Sequence, residues 1–300
     1  MLAAAPPQAL TRDQWRQRAR RHAERLRPWL EPTRARRAAG RKHPVWDFLF
    51  TYYSHRPAEL ARWSPGAGVA LFGADEETFP LRRGFAAIDL PRGPARWLDP
   101  EALPTKLRAR AAETAAFLRA TGDRAPNFAC HGLHEWAMVY RAAPEAIRHA
   151  GVPLRLGPAG TDAVVEARPL ACSHFDAFRF FTPEAGPRNR GAPTRERQIQ
   201  LDQPGCVHVT MDLYKWAYRL SPWLASELVA EAFELAAAAR EMDMCASPYD
   251  LRAFGFAPIP VETAAGRAEY ERRQRELTAR ARPVRVALIT ALERLAADPV

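Results

Sequence analysis

Stretches with helical spacing of apolar residues constrain the fold of this chain more than any other feature. Residues 105–121 are rich in alanine and lead to Gly122, a residue type that commonly ends helices. Residues 266–295 combine apolar and charged residues at helical spacing, with an interruption expected near Pro283. The spacing therefore predicts two long helices in these regions, and it indicates a shorter helix at residues 132–141.

A third helical region occupies the middle of the chain. Residues 211–220 have helical spacing, and Ser221 and Pro222 form a suitable N-cap and first-turn pair for a long helix that reaches about Met242. Residues 64–104, in contrast, are rich in glycine and proline and predict loops with, at most, short strands. The expected fold class is mainly α with a minor β component.

Positive charge is concentrated at the N-terminus. The chain of 300 residues has a formal net charge of +10, and residues 1–43 hold twelve Lys and Arg against three acidic residues. Residues 44–300 therefore carry a net charge of only +1. We expect a basic N-terminal helical arm, residues 1–43, and one large helical domain, residues 44–300, that carries the functional site.

The arm has the pattern of a phosphate-binding helix. Apolar residues recur at three- and four-residue spacing over residues 13–30, and Pro28 is expected to bend or end this helix. The arginines can neutralise the phosphates of DNA, which is the partner that this charge predicts. An alternative is a surface helix whose arginines are only solvated. The residues expected to bind nucleic acid are Arg16, Arg20, Arg27, Arg34, Arg37 and Lys42.

Targeting and disulfide signals are absent from the sequence. The four cysteines are far apart and show no Cys-x-x-Cys spacing, so they predict neither disulfides nor a zinc ribbon. The basic residues follow the apolar start, which is the wrong order for a secretory signal. No apolar run approaches the roughly 20 residues that cross a bilayer. We therefore expect a cytoplasmic protein without a membrane partner, and the sequence indicates no protein partner.

Polar side chains that are costly to bury recur in three short, otherwise apolar segments, at residues 130–136, 172–176 and 206–212. Two segments contain a Cys-x-His pair, which on two strands would place thiols and imidazoles on one face as ligands for zinc or iron. The pairs are Cys172 with His174 and Cys206 with His208. Because their spacing matches no known ligand pattern, and buried cysteine is commonly a small core residue, we expect no metal and no cofactor.

The same segments place carboxylates beside aromatic side chains. Cleavage of a glycosidic bond needs a carboxylate to stabilise charge or activate water, and aromatic walls suit a flipped base. Desolvation beside large aromatic residues should raise a carboxyl pKa and keep the group useful near neutral pH. The expected catalytic residues are Glu135 and Asp176, with His134 and His174 as orienting or proton-transferring neighbours. The expected substrate-binding residues are Trp136, Tyr140, Phe178, Asp212 and Tyr214.

Five segments carry a resemblance to known proteins. They are HPVWDFLFTYYSHRPAELARWSPG, HGLHEWAMVYR, ACSHFDAFRFFTP, QPGCVHVTMDLYKWAYRLSP and MCASPYDL. Together they resemble a bacterial family of about this length whose members are commonly labelled 3-methyladenine DNA glycosylase, over a range from about Trp15 to Leu292. The resemblance implies a base-excision hydrolase that acts on alkylated purines in DNA. The string at residues 203–207 lacks the second glycine of a helix-hairpin-helix motif, so no catalytic aspartate is transferred from that fold.

Three functional hypotheses follow from these observations. The first is the DNA glycosylase, which the resemblance, the basic arm and the carboxylates among aromatic residues support. The second is an enzyme for a small metabolite, metal-dependent or metal-free, that uses the His/Cys/Asp cluster. The third is a noncatalytic nucleic-acid-binding protein, because the arm alone can bind DNA. A groove continuous with the arm favours DNA, whereas a closed pocket favours a metabolite.

Overall fold

The computed structural model describes residues 8–147, 149 and 151–297. These residues are mainly helical with a small sheet, which confirms the predicted fold class. The helices are α1 (Arg12–Ala38), α2 (Phe48–Thr51), α3 (Pro57–Leu60), α4 (Thr105–Gly122), α5 (Leu133–Ala137), α6 (Gly157–Glu166), α7 (Phe175–Phe178), α8 (Gln198–Leu201), α9 (Val207–Tyr218), α10 (Ser226–Cys245) and α11 (Ala264–Ala296). The strands are β1 (Gln8–Leu10), β2 (Val69–Phe72), β3 (Phe85–Leu90) and β4 (Gly93–Leu98).

The chain divides into two compact units. Unit 1 consists of the described residues of Met1–Leu118, Leu213–Glu234 and Val284–Val300. Unit 2 consists of those of Arg119–Asp212 and Leu235–Pro283. The first seven residues of the expected arm lie outside the described part of the chain. The rest of the arm is grouped with the other segments of unit 1 and is not a unit of its own.

One apolar face holds α1 within unit 1. The helix begins with a capping box, in which Thr11 and Gln14 each accept a hydrogen bond from the other's backbone N–H. It does not end at Pro28 but continues through Pro28 and Pro32 to Ala38. Burial of the apolar face offsets the main-chain hydrogen bonds that the prolines remove. The buried side chains are Trp15, His22, Leu26, Leu30 and Thr33.

The strands of unit 1 form a sheet in the order β1-β2-β4-β3. β1 pairs with β2 in parallel, and β4 pairs with both β2 and β3 in antiparallel fashion. The sheet is small because glycine and proline interrupt the region of residues 64–104, as the sequence predicts. Phe85, Ala95 and Leu98 contribute buried side chains from this sheet to the core.

The structure corrects three helix boundaries. The helix expected at residues 132–141 is only the five-residue α5, after which the chain continues in turns. Ser221 and Pro222 do not begin the long helix, because Trp223 and Leu224 donate hydrogen bonds back to Leu220 and close a separate turn. α10 begins at Ser226 instead, and α11 continues through Pro283 without the expected interruption.

Candidate metal centre in unit 2

α5 brings His134 into the interior of unit 2. Gly132 precedes the helix with a φ of 75°, and a Cβ at this position would lie only 3.1 Å from the Cβ of Ala246. Both the left-handed backbone and the limited space therefore require glycine. The close approach allows Trp136 to donate a hydrogen bond from Nε1 to the backbone oxygen of Ala246 at 2.8 Å. These contacts fix α5 beside the end of α10, with His134 only 2% exposed.

His134, His208 and Asp243 converge in this interior. His208 lies in the first turn of α9, and Asp243 lies in the last turn of α10. One potential ligand atom from each side chain lies within 4.8 Å of the other two, and all three residues are buried. The rings of His134 and His208 have their centroids 4.5 Å apart. Nε2 of His134 is 2.9 Å from Oδ1 of Asp243.

The short contact between His134 and Asp243 is not a well-formed hydrogen bond. Nε2 of His134 and both carboxylate oxygens of Asp243 are buried, and none has a partner in hydrogen-bond geometry among the described residues. Buried polar atoms without partners are rare and costly. Two ligand atoms that lie about 2.1 Å from one metal ion are about 3 Å apart at the right angles of an octahedral site, and about 3.4 Å apart in a tetrahedral one. The observed distance of 2.9 Å fits the octahedral arrangement.

The surroundings of His134 favour positive charge. Burial lowers the pKa of a histidine, but here the Asp243 carboxylate, together with Cys130, raises the pKa of His134 well above its usual value. Sγ of Cys130 lies 3.2 Å from Nδ1 of His134, on the other side of the ring from Asp243. A partner at Nδ1 fixes the ring orientation and leaves Nε2 for a cation. A position that attracts a proton between His134 and Asp243 also attracts a metal ion.

Glu135 is the partner of a buried arginine. Its Oε1 accepts a hydrogen bond from Nη1 of Arg240 at 3.0 Å, and both side chains are buried. Burial raises a carboxyl pKa, but Arg240 and His134 outweigh this effect and lower the pKa of Glu135. The expected net rise in the pKa of Glu135 is therefore wrong, because Arg240 and His134 together outweigh the desolvation.

A second cluster contains His174, Asp176 and Asp212, whose potential ligand atoms also lie within 4.8 Å of one another. Nδ1 of His174 is 3.0 Å from Oδ1 of Asp202, and Oδ2 of Asp202 accepts a hydrogen bond from Gln198 at 2.9 Å. Nε2 of His174 is 3.9 Å from Oδ2 of Asp212. A carboxylate bound at one ring nitrogen fixes the orientation of the imidazole and directs its other nitrogen.

The two clusters are neighbours in unit 2. Asp212 follows His208 by one helical turn on α9, so both side chains project from the same face of that helix. The rings of His174 and His208 are stacked, with centroids 5.4 Å apart and an interplanar angle of 6°. The second cluster therefore lies directly beside a potential ligand of the first.

Asp176 forms the more accessible end of the second cluster. Its Oδ1 lies 3.1 Å from Nε of Arg179 and 3.3 Å from Nη2 of Arg195. Both arginine side chains are exposed. Asp176 is thus a largely buried carboxylate that pairs with two exposed arginines.

Cysteines surround a small cavity beside His134. Cys130, Cys172 and Cys206 line a space of about 10 Å³, which has room for about one water molecule or ion. Burial raises the pKa of Cys172 and Cys206 well above the usual value, so both remain neutral thiols. Neither Cys-x-His pair lies on a strand, because Cys172 and His174 precede α7 in a loop while Cys206 and His208 lie at the start of α9. Within the described ranges, neither potential metal cluster includes a cysteine.

The structure places the aromatic residues expected to bind substrate in different surroundings. Trp136 and Tyr140 are 0% and 2% exposed, and the Tyr140 hydroxyl donates a hydrogen bond to Glu166 at 2.8 Å. Phe178 is half-buried in unit 2, whereas Tyr214 belongs to unit 1. Trp136 and Tyr140 are therefore core residues with satisfied polar atoms.

The basic residues expected to bind nucleic acid are all exposed on unit 1. They are Arg16, Arg20, Arg27, Arg34, Arg37 and Lys42. Two other arginines of α1 have structural partners, since Arg18 pairs with Glu227 at 2.8 Å and Arg25 pairs with Glu234 at 2.5 Å. The helix thus combines structural arginines on one side with a solvated basic surface on the other.

Asp243 is the site residue that sequence reasoning missed. It follows Arg240 by three residues in a helical segment whose other members are mostly Ala, Met and Glu. Two charged residues within an alanine-rich helical segment were the available signal, because charged groups are rarely buried without partners. The role of Asp202 as the partner of His174 was also missed, since 28 residues separate them.

No protein-family model, curated protein or solved structure matches this chain. In the part of the chain that the structure describes, no helix combines the length and the hydrophobicity that crossing a membrane requires.

Proposed function

We propose that unit 2 is the catalytic part of a metal-dependent enzyme that acts on a small molecule. One observation carries this proposal: Nε2 of His134 and both oxygens of Asp243 converge beside His208, with Nε2 only 2.9 Å from Oδ1, and among the described residues none of these three buried atoms has a partner in hydrogen-bond geometry. Leaving such atoms unpaired in a protein interior is costly, and a bound cation removes the cost. The geometry thus supports the second of the three sequence hypotheses in its metal-dependent form.

The ligand set defines the class of ion. Two imidazoles and one carboxylate suit zinc, iron or another first-row divalent metal, and such a set leaves coordination positions open for water or substrate. An ion held by His134, His208 and Asp243 would activate a water molecule or polarise a substrate oxygen.

His174 is the side chain best placed to transfer a proton. Because Nδ1 lies beside the carboxylate of Asp202, the proton of the neutral ring is on Nδ1 and the lone pair that can accept a proton is on Nε2. The ring also stacks on His208, which places it beside the proposed ligand set. We assign His174 the role of general base, with Asp202 as its positioning residue.

The shape of the site limits the substrate. The cavity of about 10 Å³ beside His134 has room for an ion or a water molecule, so a substrate brings only its reacting group to this point. Arg179 and Arg195, the two arginines that pair with Asp176, are exposed at the end of the neighbouring cluster. A polar substrate that approaches from this end meets charged side chains first, which favours a charged or strongly polar molecule.

Metal analysis tests the proposal directly. Metal-free protein is titrated separately with Zn²⁺, Mn²⁺ and, without oxygen, Fe²⁺, and bound metal is measured after gel filtration. We expect one tightly held ion per chain in wild type, and loss of that ion in Asp243→Asn and His208→Asn, because each substitution removes a ligand. Glu241→Gln is the matched control, since this exposed residue of α10 lies two positions from Asp243.

Two outcomes reject the metal proposal. The first is a wild-type protein that retains none of the three ions. The second is an Asp243→Asn variant that folds, as judged by circular dichroism, and binds the ion as tightly as Glu241→Gln does.

The second candidate function is the DNA glycosylase that the resemblance implies. The observation in its favour is the exposed basic surface of α1, which suits the phosphates of DNA. Its test is release of 3-methyladenine from alkylated DNA by the wild-type protein, and release at the background rate rejects it. Activity that is lost in Glu135→Gln or Asp176→Asn, with DNA binding retained, would support the two carboxylates as its acid–base residues.

A further inference from the structure

Unit 1 contains a polar cavity that the metal proposal does not use. Its volume is about 240 Å³, far larger than the cavity beside His134. The lining includes His22, His55, Glu59, Arg62 and Arg83. A cavity of this size with titratable walls suits a small polar molecule better than an apolar one.

The two histidines of this cavity are neutral near physiological pH. Nε2 of His22 lies 2.8 Å from the backbone oxygen of Leu60, and since a carbonyl only accepts, Nε2 is the donor. Nδ1 of His55 lies 2.8 Å from the Tyr214 hydroxyl, and its ring stacks on Tyr218. Burial lowers the pKa of His22, and it lowers the pKa of His55 to about 4. The imidazoles therefore supply hydrogen-bonding capacity without charge.

Arg83 is the arginine of this cavity whose acidic partner is distant. Its side chain is 21% exposed, and its acidic partner Glu59 lies at 4.0 Å, too far for a hydrogen bond. The same carboxylate is already bound by Arg62 at 2.6 Å. Burial lowers the pKa of Arg83, which reflects incomplete compensation of its charge. Two arginines face one carboxylate, so the lining retains one net positive charge.

We propose that this cavity binds a small monoanionic carboxylate, with Arg83 as the principal partner of the carboxylate group. The planar guanidinium presents paired N–H donors that match the two oxygens of a carboxylate. A single negative charge balances the lining, whereas a phosphate dianion exceeds it. This site lies entirely within unit 1, and its existence does not depend on a metal in unit 2.

Titration calorimetry with acetate, lactate and pyruvate tests the proposal, with inorganic phosphate as the competing anion. We expect saturable binding of at least one carboxylate by wild type, weakened about tenfold or more in Arg83→Ala, because a charge-assisted hydrogen bond is removed. Arg82→Ala is the matched control, since Arg82 is the exposed neighbour and does not line this cavity. Glu59→Gln should tighten binding, because it removes the carboxylate that competes for Arg83.

Arg83→Ala should weaken carboxylate binding and Glu59→Gln should tighten it. A loss of folding would weaken binding in both variants, so the opposite signs identify a binding role. Circular dichroism checks that each variant is folded, and Arg83→Lys replaces Arg83→Ala if the latter is not. Absence of saturable binding by all three carboxylates overturns the proposal. Equal affinities in the Arg83 and Arg82 variants also overturn it, and tighter binding of phosphate than of every carboxylate overturns the assignment to a carboxylate.

Discussion

At the scale of single residues, the partner of a buried charge decides its role. Glu135 and Asp243 are both buried carboxylates of unit 2. Glu135 accepts a hydrogen bond from Arg240, and this pair lowers its pKa, so its charge is compensated within the protein. Nη1 of Arg240 is 3.7 Å from Oδ2 of Asp243, which is too far for a hydrogen bond. Neither oxygen of Asp243 has a hydrogen-bond partner among the described residues. The first carboxylate is therefore structural, and the second is available to a cation.

His55 makes the stability of unit 1 sensitive to acid. Its pKa is lowered by burial from 6.5 in the unfolded chain to about 4 in the folded protein. The unfolded state therefore takes up the proton first, and stability present above pH 6.5 is lost as the pH falls toward about 4. The full loss is roughly 3 kcal/mol.

Urea unfolding of wild type and His55→Asn, at neutral pH and at about pH 5, measures this contribution. We expect the variant to be less stable at neutral pH, because its contact with Tyr214 changes, but to lose less stability on acidification. An identical loss in both proteins would show that other groups cause the acid sensitivity.

At the scale of elements, α1 has two chemically different faces. One face buries Trp15, Leu26 and Leu30, so deletion of the helix would remove core side chains and would not test DNA binding alone. The other face carries the exposed arginines. Substitution on the exposed face is therefore the informative experiment.

The exposed arginines of α1 should bind DNA without stabilising the fold. We expect a variant with Arg16, Arg20 and Arg27 changed to Gln to bind DNA more weakly, with a salt slope reduced by roughly 0.9 for each phosphate that is no longer neutralised. Its free energy of unfolding should change by less than about 0.5 kcal/mol. Fluorescence polarisation at several salt concentrations measures the slope.

Arg25→Gln is the matched control for that experiment. Arg25 belongs to the same helix but pairs with Glu234 at 2.5 Å. We expect this variant to lose roughly 1 kcal/mol of stability and to keep most of its DNA affinity. A triple variant with an unchanged salt slope would contradict a phosphate-binding role for α1.

At the scale of the whole molecule, each proposed ligand belongs to one unit. The metal ligands and His174 lie in unit 2, and the carboxylate cavity lies in unit 1. A ligand that binds only the folded state stabilises it by about 2.7 kcal/mol at one hundred times its dissociation constant. Addition of Zn²⁺ should therefore raise the thermal midpoint of wild type.

Hydrogen exchange separates the two proposed sites. We expect Zn²⁺ to slow amide exchange in α5, the start of α9 and the end of α10, since these segments carry the ligands. Zn²⁺ should give no such protection in Asp243→Asn. Lactate, in contrast, should slow exchange in segments of unit 1 and not in the segments that carry the metal ligands. If Zn²⁺ protects wild type and Asp243→Asn equally, the ion binds adventitiously and the proposed metal site is contradicted.

The mainly helical fold class was predictable because the spacing of apolar residues is a local property. The helices at residues 105–121 and 266–295 appear as α4 and α11, and the glycine- and proline-rich region contains only short strands. The polar segments around His134, His174 and His208 also stood out, since charged and polar groups are unusual among apolar neighbours. Helix ends were less predictable, because burial of the α1 face holds the helix together through Pro28.

Only the tertiary structure decided what the polar residues do, because a pKa and a ligand geometry depend on neighbours in space. The sequence by itself determined that Glu135 is embedded among apolar residues, but the approach of Arg240 reverses the expected direction of its pKa shift. His134 and His208 likewise lie in separate segments of the sequence. Folding brings their side chains close to that of Asp243, a residue of a third segment. Local periodicity carries no information about such long-range partners.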